Sequence, residues 1–217
     1  EKTVTPFDFA IIGAGIAGAS LAAELAGPSG AKGRVLLLEA ESQPGYHATG
    51  RSAAFWEECY GGPDIVPLTL ASGPYLRDGG FLTRRGALYI GQEQDRPELD
   101  RFMARFDQSG ATLERLDRGG LDAILPDLRP QWTGAIWEPA CADIEVAALH
   151  AHYLGQARRG GAELVTHARV EGLTRRSGVW HITTHSGDAF TAATLINAAG
   201  AWADEIAALA GADRKST

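Results

Sequence analysis

The first apolar run of the chain, Phe7–Ile12, has no proline and stops at a glycine, so it predicts a strand. Small and apolar residues then continue through Ile16–Ala26, which predicts a buried helix, and 34–38 predicts a second strand ending at Glu39. The connection between that helix and strand, 27–33, is an enlarged glycine-rich loop, and 40–54 is rich in turn formers. The pattern changes after Phe55. Helices are expected over 67–77, 97–108 and 121–128, and strands over 86–91 and 133–138. Leu99, Phe102, Met103 and Phe106 recur at helical spacing and predict a core face. A helix is expected over 143–159, with Val146, Leu149, Tyr153 and Leu154 as its apolar side and Gly160-Gly161 closing it. Short strands follow at 162–165, 169–175, Val179–Thr184 and 189–191, then a buried strand at 195–198 and a helix at 202–210.

This order gives the fold class: α/β, with a Rossmann-like domain interrupted by an α+β domain. The expected segments are 1–54 and 143–217 for the first, with 55–142 for the second.

Gly13-Ala-Gly15-Ile-Ala-Gly18 sits between the first strand and the first helix. Gly13 suits a tight turn, Gly15 leaves room for a pyrophosphate, and Gly18 lets the helix lie close to the sheet. The helix N-terminus offers amides and partial positive charge to phosphates. Glu39 is placed to accept ribose hydroxyls, and its charge repels a 2′-phosphate. The motif therefore predicts a dinucleotide and disfavours NADP, leaving NAD and FAD. Thr49-Gly50-Arg51-Ser52 adds hydroxyls and a fixed cation that fit a pyrophosphate or a flavin edge, or a solvated surface loop.

Composition narrows the partners. The 217 residues carry a net charge of −7, which argues against nucleic acid and anionic membranes. The apolar stretch 9–26 contains Glu24 and three motif glycines, so it reads as a βα unit and not as a membrane span. Cys59 and Cys141 have no zinc-like spacing; they are expected to be buried small hydrophobes in a reducing cytoplasm, with no metal site. His47 reads as a solvated loop residue, while His150 and His152 face different sides of their helix and make no ligand pair.

Four segments in this order, the glycine motif with Glu39, 46–54, 142–154 and 195–204, resemble the D-amino-acid-oxidase-like family of FAD-dependent oxidoreductases. Thr49-Gly50-Arg51-Ser52-Ala53-Ala54 is most similar to the loop of its D-arginine dehydrogenase-like subgroup. The resemblance implies FAD as cofactor and hydride transfer from the CH–NH bond of an amino acid or amine, giving an imine. It implies cofactor contacts at Gly13, Gly15, Ile16, Ala17, Gly18, Glu39, Ala40, Thr49, Gly50, Arg51, Ser52, Ala53, Val170, Ala199, Gly200 and Trp202, with Val170 meeting the adenine. Tyr60 matches a tyrosine near the substrate entrance, and no catalytic residue is assigned. Phe55 and Ala87 replace a histidine and a substrate-binding glutamate of the subgroup, which disfavours arginine as substrate. Family chains continue beyond the last helix, so the substrate domain is expected to be incomplete at the C-terminus. The alternatives are a truncated or split FAD-binding subunit completed by a second chain, and a hydroxy-acid oxidoreductase of the same fold.

Overall fold

The computed structural model describes residues 6–27 and 33–212, so most of the enlarged 27–33 loop lies outside the described residues. The chain forms two compact units, residues 1–52 with 146–217, and residues 53–145.

The first unit begins with β1 (Phe7–Ile12), α1 (Ile16–Ala26) and β2 (Val35–Leu38). β1 and β2 pair in parallel, Ile11 opposite Leu37. All four residues of β2 are buried, as expected for a parallel strand covered on both faces. The buried face of α1 is Gly18, Ala19, Ala22 and Ala23, small enough for the helix to lie close to the sheet.

The second unit contains β3 (Phe55–Trp56), α2 (Val66–Asp78), β4 (Leu82–Arg84), β5 (Ala87–Gly91), α3 (Arg96–Arg105), β6 (Glu114–Asp117), α4 (Arg118–Ile124), β7 (Gly134–Glu138) and β8 (Ala142–Ile144). Its strands make two three-stranded antiparallel sheets, ordered β3-β8-β4 and β5-β7-β6. The sequence pattern misses β3, β4, β6 and β8, which have two to four residues each and leave too little length for an alternation. The helix expected from 143 begins instead at Val146. Asp143 and Ile144 pair with β3 and β4, and the amides of Ile144 and Glu145 donate to Ala54 and Phe81. The helix expected over 121–128 starts earlier and stops sooner. Asp117 caps α4 by accepting the Gly120 amide at 2.9 Å. Asp127, at φ 66°, belongs to a non-helical loop whose Leu128, Arg129 and Trp132 carbonyls accept from the Arg118 guanidinium. The apolar stripe of α3 does reach a core: Phe106, just past its end, packs with Cys59 and Val66, and Phe102 lies against them.

The first unit resumes with α5 (Val146–Arg159), β9 (Glu163–Val165), β10 (Val170–Arg176), β11 (Val179–Thr184), β12 (Ala189–Asn197) and α6 (Ala203–Leu209). The sheet order is β10-β11-β12-β1-β2-β9. β12, β1, β2 and β9 run parallel, and β10 to β12 form an antiparallel meander. β12 is one nine-residue strand where the pattern gives two. Its middle, Thr191-Ala-Ala-Thr194, is weakly apolar but pairs through Ala192 with both β1 and β11. Leu195 and Ile196 are half-buried, not buried as expected. Ile11, Val35 and Leu37 face α1 and Ala157 of α5. Ala10, Ile12, Leu36 and Leu38 point to the opposite face, in a core that includes Ile206 of α6.

Candidate functional site: a cleft at the ends of the parallel strands

A cavity of about 350 Å³ opens in the first unit where β1 and β2 end, lined by the loops that follow them and by 168–170 and 198–202. In open α/β sheets, ligands bind in this crevice at the strand carboxyl ends. Gly13 turns the chain at φ +102°, and a Cβ there would sit 2.4 Å from the Ala198 carbonyl oxygen. A Cβ at Gly18 would lie 1.9 Å from the Gly13 oxygen, so the loop and the first turn of α1 are in direct contact. Gly15 is extended and supplies no side-chain cap to α1. The cap comes instead from Thr49, whose hydroxyl accepts the Ile16 amide at 2.9 Å. Ala17 and Gly18 follow in the first turn, where amides have no intrahelical partner.

Glu39 is 9% exposed and lines the cavity. Its Oε2 accepts the Ala14 amide at 3.0 Å and its Oε1 accepts the Glu41 amide at 3.0 Å. The carboxylate thus holds two turns of backbone, and each oxygen keeps lone-pair capacity for a hydroxyl. His150, given no role by the sequence, is buried in α5 and its Nε2–H donates to the Ala14 carbonyl at 2.8 Å. His47 is not merely solvated: its Nε2 is 2.9 Å from Glu41 Oε1, and its ring centroid is 4.5 Å from that of Trp202.

Of the expected contacts, Gly13, Gly15, Glu39, Ala40 and Thr49 line the cavity, as do Val170, Ala199, Gly200 and Trp202. Ile16, Ala17 and Gly18 form the adjoining turn of α1. Gly50 and Arg51 complete the 3-10 turn that Thr49 begins, with the Arg51 guanidinium over the Tyr46 ring, and Ser52 follows outside the lining. Ala53 and Tyr60 belong to the other unit, where Tyr60 is 76% exposed. The sequence reading missed Glu41, Gly45 and the α6 residues Ile206 and Leu209, which also line the cavity. Turn-formers flag the first two only as loop, and Ile206 and Leu209 read as ordinary core.

The 53–145 unit has its own cavity of about 580 Å³, bordered by Phe55, Glu57, Arg85, Ala87, Leu88 and Trp137, among others. Phe55 and Ala87 both line this cavity. Tyr89 donates to Glu57 and lies 3.2 Å from Glu138. Burial, reinforced by Glu138, pushes the Cys59 thiol up to about 12, and burial pushes Cys141 up to about 11. Both are free, buried and neutral, so neither is an activated thiol. Among the described residues no cluster of His, Cys, Asp or Glu is placed to hold a metal ion.

The family profile described as FAD dependent oxidoreductase (DAO) matches residues 8–216. The chain belongs to that family. It is 30% identical to an L-2-hydroxyglutarate dehydrogenase of Escherichia coli over 217 residues, covering 94% of this chain and 50% of that protein. Glycine oxidase from Geobacillus kaustophilus superposes with a TM-score of 0.80 at 26% identity, over 96% of this chain and 59% of that one. L-alpha-glycerophosphate oxidase from Mycoplasma pneumoniae, solved with FAD bound, gives a TM-score of 0.86 at 17% identity over 97% of this chain and 58% of that one. The chain thus spans about half the length of the curated relatives it matches. FAD is the cofactor of this fold. The cleft fits it: Gly13 and Gly18 stand where any Cβ would strike backbone, and Glu39 lines the same cavity as Gly13 and Gly15.

Proposed function

We propose that this chain carries the FAD cradle of an oxidoreductase that oxidises the CH–NH bond of an amino acid or amine to an imine. The observation that carries this reading is the cleft at the ends of β1 and β2, where the glycine turn, the Thr49-capped helix end and Glu39 converge. The likeness to glycine oxidase supports the choice of an amine substrate. In this reading the outer segments form the FAD-binding domain and the middle one belongs to the substrate domain. The first-turn amides of α1 hold the pyrophosphate, Glu39 and Ala40 meet the ribose, and the Val170 backbone meets the adenine. Ala199, Gly200 and Trp202, with Gly50, Arg51, Ser52 and Ala53, border the rest of the cofactor, and Tyr60 stands on the substrate side.

When bound, FAD supplies the hydride acceptor, and the protein supplies orientation, shielding from water and electrostatic tuning. The substrate carbon gives up its hydrogen with the bonding pair and the nitrogen gives up a proton; the imine then hydrolyses to an oxo compound. The 30% identity to L-2-hydroxyglutarate dehydrogenase favours a second reading, oxidation of a 2-hydroxy acid on the same cradle. No helix among the described residues is long and apolar enough to cross a membrane. The two unbridged cysteines support a cytoplasmic setting.

The test is anaerobic titration of the full-length, FAD-loaded protein with amino acids of both configurations, amines and 2-hydroxy acids. Loss of the flavin's visible absorbance with an amino acid or amine is expected. Bleaching by 2-hydroxy acids alone would favour the second reading. A retained flavin that no compound reduces would leave a binding subunit in need of a second chain.

A further inference from the structure

We propose that His150 is a positioning residue for the FAD cradle, acting through the glycine loop without touching the cofactor; this rests on the cleft being the FAD site. An imidazole that is 8% exposed carries a desolvation cost unless it is hydrogen-bonded. Its partner is not in α5 but 136 positions earlier, the carbonyl of Ala14, at 2.8 Å. A carbonyl only accepts, so Nε2 bears the proton and the ring has a defined donor.

The amide of the same residue, Ala14, donates to Glu39 at 3.0 Å. Ala14 is therefore gripped on both of its backbone polar groups by buried side chains from two elements, the end of β2 and α5. Its neighbours, Gly13 and Gly15, have no side chains with which to pack, and glycine has the largest backbone freedom to lose on ordering. A loop built this way depends on outside contacts to hold its shape.

The Cε1–Nδ1 edge of the same ring lies against the loop that begins at Gly45. A Cβ at Gly45 would fall 2.8 Å from His150 Cε1, and Gly45 has φ +75°. The Gly45 carbonyl accepts the Gly50 amide at 2.7 Å, next to Thr49, which caps Ile16. One ring thus touches both the 13–15 loop and the 45–51 loop, and Thr49 of the latter bonds the first amide of α1 directly.

The experiment compares wild type, His150→Leu, His150→Gln and Gly45→Ala in the full-length protein freed of flavin. FAD affinity is read by flavin fluorescence, and the bound pyrophosphate by its ³¹P resonances. His150→Leu keeps bulk and removes the donor, so FAD binding weakens about tenfold to a hundredfold and the ³¹P resonances shift. His150→Gln restores a donor and recovers most of the affinity. Gly45→Ala pushes on the Cε1–Nδ1 edge of the ring and also weakens binding and shifts the resonances, without changing the imidazole. A merely structural role would lower thermal stability but leave the ³¹P positions unmoved. Wild-type affinity and resonances in His150→Leu or in Gly45→Ala overturn the proposal, as does a His150→Gln variant no better than His150→Leu. Failure of the wild type to take up FAD overturns the FAD reading of the cleft itself.

Discussion

Each carboxylate oxygen of Glu39 accepts one backbone amide, from Ala14 and from Glu41. A ribose contact alone would tolerate glutamine, which still offers an oxygen and an NH₂. Two amide donors do not, because the glutamine NH₂ must face one of them. Leaving a buried amide unpaired costs about 1–3 kcal/mol. Glu39→Gln is therefore expected to weaken FAD binding at least roughly tenfold, close to Glu39→Ala, as measured by fluorescence titration. The acid at the end of β2 was legible from its position in the pattern. Its grip on Ala14 was not, since the two residues lie 25 positions apart and only the turn at Gly13 brings them together.

At the scale of elements, α1 shows how a helix can be weak alone and firm in place. It has no acidic residue in its first turn and no basic residue in its last, and its cap comes from Thr49 on a different loop. What holds it is close packing of small residues. A methyl group at Gly18 meets the Gly13 oxygen, so Gly18→Ala is expected to cost about 1–3 kcal/mol through overpacking and to lower Tm by roughly 2–4 °C for each kcal/mol. Gly155 in α5 is the contrast, because a Cβ there meets only the flexible end of Arg159 at 3.2 Å. Gly155→Ala is expected to stabilise by about 0.5–1 kcal/mol, visible as a higher Tm in the same melting series. Most of the long elements followed from apolar periodicity, although the weakly apolar middle of β12 split that strand in two. β3 and β8 did not, because a strand of two or three residues is defined by its partner and not by its own pattern.

The whole molecule carries a pH dependence set in the 53–145 unit. Glu138 is 0% exposed, and burial, together with Glu57 and Glu58, holds its carboxyl above the ordinary value of 4.5 despite the bonds it accepts from Glu58 and Tyr89. The folded chain thus binds that proton more tightly than the unfolded chain does. The stabilisation is complete below the unfolded value and is lost as pH rises through the folded one. Wild-type Tm is expected to fall through a pH window that opens above 4.5, and Glu138→Gln, which is neutral throughout, to flatten that slope. Above that window the buried thiols act in the same direction, since both stay neutral when folded. The sequence by itself determined the opening βα unit, the glycine turn, the acid that ends β2 and the return of the same architecture after an interruption. These are local: a period of two or 3.6, a turn only glycine can make, a terminal residue. Tertiary structure alone decided that Thr49 caps α1 and that His150 and Glu39 share Ala14. Those partners stand 33, 136 and 25 positions apart, and no local pattern encodes a contact that exists only once the sheet has closed around β1.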